Sequence, residues 1–142
     1  MLVSQILRTK GDSVFTTEPS EQVGEVAKLL HARKIGALVI MEADRVVGIV
    51  SERDIVRALA EHGASAMQRP VSDFMTSNVL FADPGETVDK MLERMSDRRI
   101  RHLPVCRLGR LVGMLSIGDL VKAKISEVEA EADGLKAYIA AS

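Results

Sequence analysis

The sequence predicts an α+β fold in which two β-α-β-β-α copies pack sheet to sheet. Three observations predict it. GIVSERDIVRA (48–58) aligns without a gap on GMLSIGDLVKA (113–123), 65 positions later. The same offset pairs Pro19 with Pro84, Glu21 with Glu86, Val23 with Val88, Ile35 with Ile100, Leu38 with Leu103 and Arg45 with Arg110. Within each copy the hydrophobic period also changes in one order, from a helical stripe to two short apolar runs and back to a helix. A single copy of about 50 residues buries its own sheet poorly, and a second copy laid against it removes that deficit.

Each element follows in order. A short strand at Val14–Thr16 opens the first copy and one at Val79–Phe81 the second. Val23, Val26, Ala27 and Leu30 recur at i, i+3, i+4 and i+7, and Val88, Met91, Leu92 and Met95 repeat that spacing, so each set is one face of a helix. A proline and an acidic residue just upstream (EPSEQ, DPGET) suit a helix start. ALVIM (37–41) and HLPVC (102–106) are short, branched, apolar runs. Each is followed by a polar tetrad and a second apolar run, VVGIV or LVGML, which reads as a β-hairpin. A second helix starts near Ser51 or Ser116, with Ile55, Val56 and Leu59, or Leu120 and Val121, facing inward. Upstream, VSQIL (3–7) resembles VSDFM (71–75) at an offset of 68, so the first copy carries three extra residues near Lys10–Asp12. The domain organisation is therefore a first copy at 1–60, a connector at 61–70 (EHGASAMQRP), a second copy at 71–125 and a helical tail at 126–142. In the tail, Val128, Ala132, Leu135, Tyr138 and Ile139 form an irregular apolar stripe interrupted by Gly134. It reads as a partly frayed helix end. The alternative is an extension of the last helix that packs on a partner subunit.

Composition narrows the function. The 142 residues include 19 Lys and Arg against 20 Asp and Glu, a formal net charge of −1, with 46% hydrophobic and 27% charged residues. That is an ordinary globular composition, and its balanced charge argues against a general polyanion binder. The single cysteine, Cys106, excludes an internal disulfide framework and fits a reducing compartment. No basic leader with a long apolar run and no membrane-spanning stretch is present, so a soluble cytoplasmic protein is expected. His31, His62 and His102 are scattered, no metal-ligand spacing or P-loop occurs, and Ser51 and Asp54 have no accompanying base. No catalysis, metal or catalytic cofactor is expected.

The residues that can carry chemistry are the repeated Gly-apolar-apolar-Ser-x-x-Asp signatures, Gly48–Asp54 and Gly113–Asp119. Read structurally, Ser followed three residues later by an acid is a capping box, although Asp is shorter than the usual Glu or Gln. Read functionally, the carboxylate sits one turn into a helix whose N-terminal amides attract phosphate, where it can accept from vicinal ribose hydroxyls. The two readings are compatible.

The tandem with GIVSERD, SIGDLV and IRHLPV (100–105) resembles a pair of CBS (cystathionine-β-synthase-type) domains, a Bateman module, from Val3 to Lys124. The resemblance implies a disc-like, pseudo-twofold pair, often a homodimer. It implies clefts between the copies for adenosine ligands such as AMP, ADP, ATP, S-adenosylmethionine or NAD(H). It further implies that Asp54 and Asp119 hold ribose hydroxyls, with Ser51 and Ser116 near ribose or phosphate. Adenine would be enclosed by the opening strands (Val14, Thr16, Val79, Leu80) and the second strands (Ile35, Ala37 and, in the other copy, Pro104). With no Trp, one Tyr and three Phe, that enclosure has to be aliphatic.

The two copies differ in charge. Arg53 stands in the first signature where the second has Gly118. Arg98, Arg99, Arg101 and His102 stand opposite Arg33, Lys34, Gly36 and Ala37. Any one of these Arg residues can be a solvated strand end, but the cluster suits phosphate clamping, which an Arg fork does bidentately. Arg101 and His102 are expected to face different clefts. The function expected is a non-catalytic sensor of energy or redox state that controls an unidentified protein. The alternatives are a ligand-free interaction scaffold and a nucleic-acid-associated regulator using Arg98–His102; the few aromatic residues count against the latter.

Overall fold

The computed structural model describes residues Met1–Ala141; Ser142, the end of the expected tail, lies outside the described residues. The architecture is α+β, and the chain divides into two compact units, Val14–Leu80 and Met1–Ser13 with Phe81 onward. Each unit thus joins the leading segment of one copy to the body of the other.

In the Val14–Leu80 unit, β1 (Thr16–Thr17), α2 (Val23–Arg33), β2 (Ala37–Glu42), β3 (Arg45–Ser51) and α3 (Glu52–His62) follow in order. α1 (Val3–Lys10) belongs to the other unit. β1 runs parallel to β2, and β2 pairs antiparallel with β3, in the order β1-β2-β3. Ala37–Ile40 are buried on both faces of the sheet, which is why that run is continuously apolar. Val23, Val26 and Leu30 of α2 meet Leu38, Ile40 and Val50 of the sheet, with Ile55 and Ala58 of α3. Residues 61–70 are more ordered than a small polar connector suggests. α3 reaches His62, a 3-10 turn covers Gly63–Gln68, and Ala66 is fully buried in the same core as Val71 and Phe74.

In the other unit, α1 precedes α4 (Val88–Arg98), β4 (His102–Arg107), β5 (Arg110–Ser116) and α5 (Ile117–Ala141). β4 and β5 form an antiparallel pair. Val3, Met91, Met95, Leu103, Val105, Leu115 and Leu120 are fully or almost fully buried. Both hairpins close through two-residue turns with a bulge at the same register, Ile40/Met41 and Val105/Cys106. In the second, Leu108 and Gly109 both take positive φ, the form that matches strand twist, and Leu108 is 94% exposed there.

Four expectations need correction. Ile55 and Leu120 face inward as expected, but Val56, Leu59 and Val121 are 64%, 40% and 43% exposed. The opening strand of the first copy is Thr16–Thr17 rather than Val14–Thr16. In the second copy Val79–Phe81 is not a strand, and only an isolated parallel bridge, Ala82 to Val105, remains. The cause is Pro104. Its counterpart Val39 donates its N–H to Phe15 O at 3.3 Å, and proline has no N–H to donate. The segment is instead pinned by Arg94, which grips both carboxylate oxygens of Glu86 at 2.9 and 2.7 Å and donates to Phe81 O at 2.8 Å. The tail also differs from a frayed end, because α5 continues as one helix to Ala141.

Candidate functional site

Each signature spans a strand end and a helix start. Ser51 caps α3: its Oγ accepts from the Asp54 N–H at 3.4 Å. Asp54 Oδ2 accepts from the Ser51 N–H at 2.9 Å and from its hydroxyl at 3.1 Å. In the second copy Ser116 Oγ accepts from the Asp119 N–H at 3.1 Å, and Asp119 Oδ2 accepts from the Ser116 N–H at 2.8 Å. Both pairs therefore cap their helices. The next amides are satisfied by the entry to the first strand of each hairpin, β2 or β4: Glu52 N–H donates to Gly36 O at 3.0 Å and Ile117 N–H to Arg101 O at 2.8 Å. Most of the orphan donors of a helix start are thus spent inside the protein.

Beyond the cap the two carboxylates part company. Asp54 is 10% exposed, and its Oδ1 lies 3.2 Å from Arg57, which also donates to Phe74 O at 2.9 Å. Asp119 is 23% exposed, and its second contact, Lys10 Nζ at 2.6 Å, falls on Oδ2 again. The hydrogen bonds from Lys10 and from the Ser116 N–H thus converge on one oxygen, Oδ2. Lys10 also donates to Met114 O. Burial by itself would raise the Asp119 pKa, but the Lys10 and Ser116 hydrogen bonds outweigh it and hold the carboxyl below its ordinary value.

The structure gathers Ala37, Ser51, Asp54 and Arg57 in one unit, with Ala37 directly across the hairpin from Ser51. It gathers Arg101, His102, Ser116, Asp119 and Lys10 in the other, with His102 across from Ser116. Arg101 is exposed and His102 half-buried. Arg99 has a backbone task, closing α4 in the left-handed conformation that Lys34 takes at the end of α2. Arg53 is exposed on the first turn of α3. Val14 and Ile35 are half-buried, and Thr16 pairs with Val39. Val79 and Leu80 are half-buried in an irregular segment, and Pro104 is buried. Among the described residues no group of three or more His, Cys, Asp or Glu could hold a metal ion. Burial pushes the Cys106 thiol up, away from the reactive thiolate.

Sequence reasoning missed Lys10 and Arg57. The signal for Lys10 was the insertion itself, since the three extra residues of the leading segment fall at the end of α1. The signal for Arg57 was its place three residues after Asp54 on one helix face.

These contacts predict an acid response. The Arg94 hydrogen bond, which outweighs burial, holds Glu86 below its ordinary pKa, as the Lys10 contact does for Asp119. Both groups bind protons more readily when unfolded. Their contribution is therefore complete above the unfolded values of about 4 and is lost as the pH falls through the lower folded values. Urea unfolding should give constant stability above about pH 5 and a decline below about pH 4. Amide exchange should show α1 among the first elements to open, because Asp119 anchors its end; an α1 indifferent to acid would contradict this.

The family model for the CBS domain matches the chain twice, over residues 3–61 and 71–126. A CBS-domain containing protein from Agrobacterium tumefaciens, ATU1752, is 46% identical with a TM-score of 0.85, covering 87% of this chain and 99% of that one. The CBS domain pair of protein MJ0100, solved with 5′-methylthioadenosine and S-adenosyl-L-methionine, is 29% identical with a TM-score of 0.79, covering 89% and 98%. The CBS domain protein PAE2072 from Pyrobaculum aerophilum, complexed with AMP, is 29% identical with a TM-score of 0.75, covering 84% and 89%.

Proposed function

Since the chain belongs to the CBS-domain family, we propose that it is a non-catalytic regulatory module binding an adenosine-containing ligand at the Ser116–Asp119 start of α5. The observation that carries this reading is the Asp119 carboxylate. It is held ionised, and its hydrogen bonds from Lys10 and the Ser116 N–H both fall on Oδ2, so in this reading Oδ1 accepts from a ribose hydroxyl. Arg101, whose carbonyl caps the same helix, supplies an exposed guanidinium for phosphate oxygens, and His102 stands beside it. The ligand class follows from the similar proteins solved with AMP or with S-adenosylmethionine and methylthioadenosine. ADP, ATP and NAD(H) share the ribose and phosphate groups this site would recognise. Asp54, with both oxygens engaged, has the smaller part in binding. Regulation then means that the ligand favours one arrangement of the protein over another, by as much as its affinities for the two differ. The controlled partner is another protein, and a reducing, cytoplasmic setting suits the lone cysteine.

A second reading is a scaffold without ligand. It is favoured by the way both Ser/Asp pairs are satisfied as caps. Thermal shift with AMP, ATP, NADH and S-adenosylmethionine separates the two. A ligand at ten times its Kd should add about 1.4 kcal/mol of stability, and Asp119→Asn should abolish that gain. No shift with any of the four would favour the scaffold.

A further inference from the structure

The apolar stripe of the tail becomes regular once α5 is continuous. Val121, Ile125, Val128, Ala132, Leu135 and Ile139 follow one another at intervals of 4, 3, 4, 3 and 4 residues. That is an unbroken heptad seam, with Ile125, Ala132 and Ile139 at a and Val121, Val128 and Leu135 at d. It spans about 27 Å of helix. The base of α5 is fastened to its own unit by a different face, through buried Leu120 and Ala123 and by Lys124 to Asp89 at 2.9 Å. The five large seam residues are 43% to 64% exposed. A globular helix normally buries such a stripe, and this one is placed where a second helix can cover it.

We propose that the seam is covered by α5 of a second copy of this chain in a parallel two-stranded coiled coil. The flanking charges select that occupant and its direction. In a parallel pair each g residue meets the e residue five positions on in the partner. Glu131 then faces the partner's Lys136, and Lys124 faces the partner's Glu129, so twofold symmetry makes both attractions twice. Lys124 has donors to spare beyond its contact with Asp89. In an antiparallel pair in the matching register, Glu129 would meet the partner's Glu129, Glu131 the partner's Glu131, and Lys122 the partner's Lys136. All three are like-charge contacts. Isoleucine at two of the three a positions also suits a parallel dimer. Gly134 falls at position c, outside the seam, where a Cβ would meet nothing within 4 Å.

The test is sedimentation equilibrium of the full chain without nucleotide, so its outcome is independent of the ligand reading. The wild type should self-associate reversibly to a dimer. Leu135→Glu should weaken association about tenfold or more, by placing two carboxylates in the seam. Lys136→Glu should weaken it by setting Glu131 of each copy against a carboxylate instead of an ammonium group, and Glu131→Lys with Lys136→Glu should restore it. These side chains are exposed in the single chain, so loss of folding does not confuse the result. Dimerisation unchanged by Leu135→Glu would overturn the proposal, whether the wild type is a monomer or is held through another surface. Stronger association of Lys136→Glu would overturn the parallel direction, because an antiparallel pair would gain a contact between Lys122 and the new carboxylate.

Discussion

Asp54→Ala should lower the stability of the chain by about 2–3 kcal/mol, considerably more than Asp119→Ala. Asp54 is the buried charged residue at the heart of the first signature, and it carries three bonds at once. Its removal strands the Ser51 N–H and hydroxyl at the start of α3 and leaves Arg57 without its carboxylate, and a buried donor without a partner costs its full desolvation. The half-exposed Arg57 recovers part of the loss from water, which keeps the total below that of a fully buried ion pair. Asp119 is more exposed, and Lys10 can return to solvent, so its loss should cost about 1 kcal/mol. Urea unfolding of the two variants checks the order. Equal costs would mean that the first signature is no more structural than the second.

Gly48→Val should cost about 2–3 kcal/mol and Gly113→Val less, although valine suits a strand better than glycine at both positions. A Cβ at Gly48 would stand 2.5 Å from Met75 Sδ, 2.9 Å from its Cγ and 3.2 Å from the Thr76 carbonyl oxygen. That carbonyl is fixed, because Thr76 and Ile49 exchange hydrogen bonds of 3.0 and 2.9 Å. A Cβ at Gly113 would have the side chain of Leu7 as its nearest neighbour, with Cδ2 at 2.6 Å, Cδ1 at 3.0 Å and Cγ at 3.4 Å. Both glycines make room for the leading segment of the other copy, Met75 in one unit and Leu7 of α1 in the other. Leu7→Ala should therefore rescue Gly113→Val in large part, whereas Met75→Ala should rescue Gly48→Val only partly. A double-mutant cycle on denaturation midpoints measures both couplings, and their equality would contradict the part given to the Thr76 carbonyl.

The repeat was legible because both copies keep the residues their geometry needs. Gly48 and Gly113 admit a foreign side chain, Ser and Asp cap a helix, and the period-2 and period-3.6 stripes face a core. The capping box was legible from spacing alone. The missing strand at Val79–Phe81 was harder to see, because apolar character there resembles that of Val14–Thr16. The deciding residue, Pro104, lies on the partner strand and acts by lacking an N–H. α1 was missed because a short amphipathic segment signals weakly on its own; its burial depends on Val3 and Ile6 meeting the body of the second copy. Lys10 and Arg57 carry no such signature, since which cation serves each Asp depends on where the leading segment and the helix face end up. The tail stripe looks irregular when Tyr138 is counted in it; without Tyr138, which falls at g, it keeps heptad spacing from Val121 to Ile139.

If Asp119 receives ribose hydroxyls, the 2′-hydroxyl of the ligand must count in binding. Calorimetric titration with AMP and with 2′-deoxy-AMP tests it most directly, on the wild type and on Asp119→Asn. The wild type should prefer AMP by about tenfold or more, the worth of a hydrogen bond to a charged acceptor, and Asp119→Asn should bind both weakly with little preference. Equal affinity of the wild type for the two nucleotides, or a preference that survives Asp119→Asn, would contradict the account.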